Sequence, residues 1–389
     1  MLELLFLLLP VAAGYGWVMG RNSARQAQQK HSSILAKHYY RGLNFLLSDE
    51  PDKAVDTLIK MIDLDSDTVE THIAMGKFFR HRGELDRAIR VHQNLVSKEE
   101  ISALQRELAL YELGRDYILA GFLERAENAF LQLLNSQKHF LNAQIQLFNI
   151  YQTTKEWPRA IELAEQMIGA GGDSDELCCR VAHFYCEQAN IEIKNSSLTE
   201  AESNLKNAIT ADDKAVRPWL MLGEISMQQE NYDDAINCFR EIPSRDVNWL
   251  SEAVPLIVEC AEKLNDTDKL NEVLDEYWQQ CATAYLAKVK LMAKDGEVVN
   301  AADVLLEQLK KHPTMKGFKT LMGLYIDLQD HEQSTNSLVL LKELVEEQIK
   351  QRPKYKCHSC GFAGKKIHWL CPSCKKWGVI KPIKGLDGE

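Results

Sequence analysis

Apolar residues recur every three or four positions over most of the chain, in short runs broken by glycine or polar residues. That spacing gathers them on one stripe of a helix and predicts a succession of short amphipathic helices. The stripes themselves repeat. Gly42 and Gly76, Ala54 and Ala88, Gly114 and Phe148, Ala126 and Ala160, and Ala201 and Ala235 each stand 34 residues apart. A fixed period of this kind means one supersecondary unit copied along the chain, and a single unit cannot bury its own apolar face. Stacked copies can, so the expected fold is all-α, a superhelix with one continuous core.

Small residues mark where paired helices approach most closely. Gly76, Phe79, Gly83 and Ala88 fall at positions 8, 11, 15 and 20 of one copy; Gly114, Tyr117, Gly121, Ala126 and Phe130 carry the next copy on to position 24. Trp219, Leu222 and Gly223, followed by Ala235 and Phe239, repeat the pattern, and Gly296, Ala301, Leu305 and Pro313 mark positions 15, 20, 24 and 32 of a late copy. The pattern resembles the tetratricopeptide repeat family, which implies an array of eight or nine copies over residues 35–350. Some copies are degraded. Ala201 has no clear first-helix partner, and Leu270 stands where an alanine is expected. The register is broken twice, with 38 residues from Ala88 to Ala126 and 41 from Ala160 to Ala201.

In such an array the concave face is lined by positions 2, 5, 9 and 12 of the first helices. Counting from each position 8 gives Glu70, Ile73, Lys77 and Arg80, then Leu108, Tyr111, Arg115 and Ile118, then Asn142, Ile145, Asn149 and Gln152. Lys77, Arg80, Tyr111, Arg115, Asn149 and Gln152 are the candidate partner-binding residues, a mixed cationic and amide surface suited to peptides.

The two ends depart from the repeat. Leu4 to Met19 is a nearly unbroken apolar run, preceded by Glu3 and followed by Arg21, Arg25 and Lys30. With Met1, Leu2 and Gly20 it approaches the roughly 20 residues a bilayer core requires. A secretory signal carries its bases before the apolar run; here they come after, which keeps the body on the cytoplasmic side. Residues 1–20 are therefore expected to be a transmembrane anchor and 21–34 a linker. The rival is a cleaved signal, for Val11 and Ala13 resemble a small-residue cleavage site. At the other end Cys357, Cys360, Cys371 and Cys374 form two C-x-x-C knuckles. Paired knuckles aim four thiolates at one point and predict a single structural Zn or Fe ion. Residues 351–389 are read as this rubredoxin-like or zinc-ribbon module.

Composition sharpens the picture at three points. Of 46 basic and 56 acidic residues, ten and two lie within residues 350–389, leaving 36 and 54 for the rest. A basic tip on an acidic body is expected to pack against it, and the lysines also offset the negative tetrathiolate. The other six cysteines, Cys178, Cys179, Cys186, Cys238, Cys260 and Cys281, have no framework spacing, which fits reduced thiols in a reducing compartment. No P-loop, G-x-S-x-G or H-E-x-x-H occurs, and the histidines and the GAGG loop at 169–172 have bland structural readings. The chain is expected not to be an enzyme. A nucleic-acid-binding ribbon on a scaffold and a redox carrier are the alternatives, although only Trp369 and Trp377 would serve as a stacking platform.

Anchor, array and C-H-S-C-G…C-P-S-C module occur in the order and over the length of the lipopolysaccharide assembly protein B family of Gram-negative bacteria, which the whole chain resembles. The resemblance implies an inner-membrane adaptor regulating lipopolysaccharide synthesis. Its implied partners are the membrane-bound AAA+ protease FtsH, the committed-step lipid A deacetylase that FtsH degrades, and an inner-membrane regulatory sensor protein that restrains the adaptor. No nucleic acid is expected. Two departures from rubredoxin, Lys375 in place of the second-knuckle glycine and only ten residues between knuckles, point to a structural metal.

Overall fold

The computed structural model describes Met19 and residues 69–388 other than 172–173, 266, 279–280, 329–331 and 387. Apart from Met19, the anchor and linker expected over residues 1–34 and the repeats expected before residue 69 lie outside the described residues. Among the described residues, no helix is long and apolar enough to cross a membrane.

From Val69 onward sixteen described helices follow one another as first and second members of pairs. They are α1 Val69–His81, α2 Leu85–Ser97, α3 Ala103–Leu119, α4 Leu123–Leu133, α5 Phe140–Thr154, α6 Trp157–Gly169, α7 Ser174–Lys194 and α8 Leu198–Ala211. The later ones are α9 Arg217–Gln228, α10 Tyr232–Arg245, α11 Leu250–Leu264, α12 Thr267–Tyr277, α13 Ala282–Lys294, α14 Val298–Lys311, α15 Met315–Leu328 and α16 Glu332–Gln351. Three short strands follow, β1 Tyr355–Cys357, β2 Ala363–Gly364 and β3 Ile380–Pro382. The chain forms two compact units, residues 1–154 and 155–389. Within each, a first helix packs on its second helix and also on the next first helix, as α1 does on α2 and α3, and α7 on α8 and α9. Contact between successive first helices puts them on the inner side of the stack.

The pair turn is built alike throughout. Position 15 is left-handed in Gly83, Gly121 and Gly296, with φ of 77°, 79° and 91°, and equally in Lys155, Ser196, Glu230 and Asn265, at 62°, 63°, 63° and 54°. The same closing hydrogen bond forms with or without glycine: Glu84 N–H donates to the Phe79 carbonyl at 2.9 Å and Asn231 N–H to that of Ser226 at 2.8 Å. Each non-glycine copy carries a backbone cost of about 1 kcal/mol, which the stack offsets by burial.

Where the helices of a pair meet, position 8 lies against the ring at position 24. A Cβ on Gly223 would collide with the Phe239 ring, and one on Gly76 with the ring of His92, which stands where other copies have phenylalanine. The degraded copies obey the same logic. Ala201 shares a fully buried cluster with Ala189, its missing first-helix partner, and Leu270 is buried beside Val273 and Leu274. The register breaks are absorbed as longer first helices, 17 residues in α3 and 21 in α7 against 13 in α1.

Candidate metal centre

Strand β1 is the middle of an antiparallel sheet ordered β2-β1-β3, and each knuckle hangs from a short turn. Gly361 N–H donates to the Cys357 carbonyl and Lys375 N–H to that of Cys371, both at 3.0 Å. In return Cys357 N–H reaches the Phe362 carbonyl at 2.7 Å, and Cys371 N–H that of Lys376 at 2.9 Å. Gly361 and Lys375 are both left-handed, at φ 79° and 58°. The glycine absent from the second knuckle thus leaves its turn unchanged, and its absence is no argument against electron transfer.

The four sulfurs lie within 4.8 Å of one another, with Cys357 and Cys374 3.8 Å apart and Cys360 and Cys371 3.7 Å apart. Sulfurs arranged tetrahedrally at about 2.3 Å from Zn²⁺ are themselves roughly 3.8 Å apart. The donor set fits one Zn or Fe ion, which would supply a cross-link between the knuckles. Backbone N–H groups of Ser359 and Cys360 point at Cys357 Sγ, each at 3.4 Å. The Phe362 N–H is the main cause that brings the Cys360 thiol down to about 6. His358 and His368 are exposed and outside the sulfur cluster, and the His368 ring lies edge-on to Phe362 at 6.0 Å.

The module is seated on the inner side of the second unit. Trp377 stacks on His183 at 5.0 Å between ring centres and meets Phe184 and Trp157 edge-on at 5.8 and 6.4 Å. Trp369 stacks on Trp249 at 4.7 Å, with the Arg217 guanidinium 5.5 Å above its ring. Tyr355 Oη donates to Glu252 at 2.9 Å, and burial, reinforced by that carboxylate, pushes the phenol up so that it stays a donor. His183, Arg217 and Glu252 each fall at position 2 of their repeats. The packing expected from charge is therefore present, but aromatic contacts dominate it. Lys381 Nζ to Asp246 at 2.8 Å is the one ion pair between module lysines and repeats among the described residues. Burial raises the Asp246 carboxyl, and the bonds from Lys381 and Asn248 more than reverse that.

The candidate partner residues lie in the first unit, and the structure divides them. Arg80 is buried: its guanidinium reaches Glu112 at 2.6 Å and Asp116 at 2.9 Å, and Asp116 also meets His92 Nδ1 at 2.5 Å. Reading Arg80 as a partner contact fails, because its charge is spent on joining α1 to α3. Burial pushes the Glu112 carboxyl up, but Arg80 and Lys77 hold it below its ordinary value. Lys77 and Arg115 also approach Glu112, at 3.1 and 3.5 Å, while their side chains stay 42% and 45% exposed. Tyr111 is half-buried, stacked on His139 at 5.4 Å and edge-on to Phe130. On α5, Asn149 is exposed and Gln152 half-buried.

A stack of helix pairs carrying a four-cysteine clasp defines a repeat scaffold with a structural metal module. Family models agree at both parts, a tetratricopeptide repeat over residues 193–257 and a rubredoxin metal binding domain over residues 355–382. Lipopolysaccharide assembly protein B of Escherichia coli (strain K12) is 40% identical over 393 residues, covering all of both chains. The protein of that name from Haemophilus influenzae is 36% identical over 398 residues, again with both chains fully covered. A solved tetratricopeptide repeat-containing protein from Cytophaga hutchinsonii is 12% identical, with 63% of this chain and 97% of that chain covered at a TM-score of 0.40; a likeness of that size carries no argument. The chain belongs to the lipopolysaccharide assembly protein B family.

Proposed function

We propose that the chain is a non-catalytic adaptor in lipopolysaccharide assembly, held at the inner membrane by residues 1–20 with its body on the cytoplasmic side. In this reading it brings the committed-step lipid A deacetylase to FtsH for degradation, and an inner-membrane sensor protein restrains it. The observation that carries the reading is the inner side of the first unit, where Lys77, Arg115 and Asn149 stay exposed on a rigid stack. Such a surface suits an extended peptide, which needs hydrogen-bonding and charged side chains at fixed spacing. The full-length kinship supports the pathway, and a tether common to adaptor and protease raises their effective concentration.

The test is the half-life of the deacetylase in cells whose own family member is deleted. Wild-type chain should shorten it, while Lys77→Glu, Arg115→Glu and Asn149→Asp combined should lengthen it several-fold without changing the amount of adaptor. An unchanged half-life with wild-type chain present or absent would overturn the adaptor reading.

A further inference from the structure

The rim of the metal module carries more positive charge than the fold uses. Residues 352–386 contain nine Lys and Arg and no Asp or Glu. A tetrathiolate around a divalent ion carries about two negative charges, which leaves most of that excess uncompensated. Lys381 is taken by Asp246. Lys354, Lys356, Lys365, Lys366, Lys375 and Lys376 are all exposed, and none has an ion-pair partner among the described residues.

Tyr355 and Cys357 are buried and Lys356 between them is exposed, on the face it shares with its cross-strand neighbour Lys381. Lys365 and Lys366 follow β2, and Lys375 and Lys376 close the second knuckle, all four exposed.

We propose that this lysine rim is a docking surface for the headgroups of an anionic phospholipid membrane. Three features select that partner. The six residues are all lysines, hydrated point charges on flexible stems that suit a diffuse anionic surface better than a fixed bidentate ligand. They are dispersed over strand, loop and knuckle. Trp369, Trp377 and Tyr355 are turned into the repeats, so the module has lost the ring platform on which single-stranded nucleic acid would stack. A polybasic cluster of four to eight residues gains about fivefold in membrane partitioning per lysine. Binding of this kind positions the module against the bilayer independently of any apolar anchor.

Full-length protein would be floated with vesicles of neutral phosphatidylcholine and with vesicles containing about 30 mol% phosphatidylglycerol, and lysine acetylation rates mapped by mass spectrometry. The six lysines should acetylate roughly fivefold more slowly on the anionic vesicles alone, and added salt should abolish the difference. Lys365→Glu, Lys366→Glu, Lys375→Glu and Lys376→Glu combined should erase the protection with metal content and helicity unchanged. Equal rates on both vesicles would overturn the proposal, as would stronger protection by single-stranded DNA or polyglutamate at equal charge. Flotation with neutral vesicles reports the anchor separately: without it, salt-sensitive binding to anionic vesicles is still expected, so the two readings fail independently.

Discussion

Position 2 of the first helices does opposite work in the two units. In the first unit it holds Glu70, Leu108 and Asn142, two exposed and one half-buried. In the second it holds His183, Arg217 and Glu252, and all three touch the chain's own metal module. The inner side of the first unit is thus left to solvent at this position, while that of the second is closed by an internal ligand. The means of cohesion differ too. A buried ionic network of Arg80, Glu112, Asp116 and His92 joins α1, α2 and α3, whereas aromatic rings join α6, α7 and Trp249, in the turn before α11, to the module. Inner positions of a repeat array are chemically free, because the stack is held by positions 8, 20 and 24, and a self-derived partner can take them as readily as a foreign one.

Removing the metal should separate the units most sharply. Without the cross-link the knuckles lose their fold, since so small a module has little core of its own. Trp369 and Trp377 then leave their seats. We expect Cys371→Ser, or chelation, to cost the second unit about 5 kcal/mol. Hydrogen exchange should show lost protection in α7, α9 and α11 with α1 to α4 unchanged. Unaltered protection in those three helices would mean that the module is merely tethered.

Arg80→Ala reverses the comparison. It strands Glu112 and Asp116 as buried carboxylates without their guanidinium, and loss of one partner from a buried pair costs about 4 kcal/mol. Urea unfolding followed by exchange should place the loss in α1 to α4. If stability holds and partner affinity falls instead, Arg80 is a contact residue after all.

Acid sharpens the contrast by an intermediate amount. Burial, aided by the Arg217 cation, lowers the His183 pKa to about 3, while an unfolded chain takes up the proton near pH 6.5. Protons therefore favour the unfolded chain throughout that window, and stability is lost as pH falls from about 6.5 toward 3. Between pH 7 and 5 the second unit should lose about 2 kcal/mol through this residue. Acid also weakens thiolate–metal bonds, so the diagnostic quantity is the difference from His183→Phe, which keeps a ring against Trp377. Equal acid sensitivity of the two proteins would exclude His183 as the cause.

Much of this organisation is legible in the sequence, and the failures have physical reasons. The period and the cysteine spacing are local patterns, imposed by helix packing and metal geometry on residues close in the chain. Seating of the module is not local: Tyr355 and Glu252 are 103 residues apart. A hint existed in Trp369 and Trp377, two large rings that a module of that size cannot bury alone, and counting position 2 into the later repeats reaches His183, Arg217 and Glu252. Arg80 was misread because a charged residue on a helix is usually solvated, and only its neighbours in α3 reveal that it is not. Ala189 meets the same need for a small residue that glycine meets at Gly76, Gly114 and Gly223.

Lys375 offers the finest comparison, since the two knuckles share their hydrogen bonds and differ in whether the turn residue is glycine. A lysine at φ 58° carries strain that Gly361 avoids. Against this, glycine loses more backbone freedom on folding. Relief of left-handed strain is the larger effect, so Lys375→Gly should stabilise the module by about 1 kcal/mol, seen as slower metal release to a chelator. It also removes one charge from the lysine rim, so release should be measured without lipid, where strain alone is read. Faster release would show that the lysine side chain does something for the knuckle that outweighs its backbone cost.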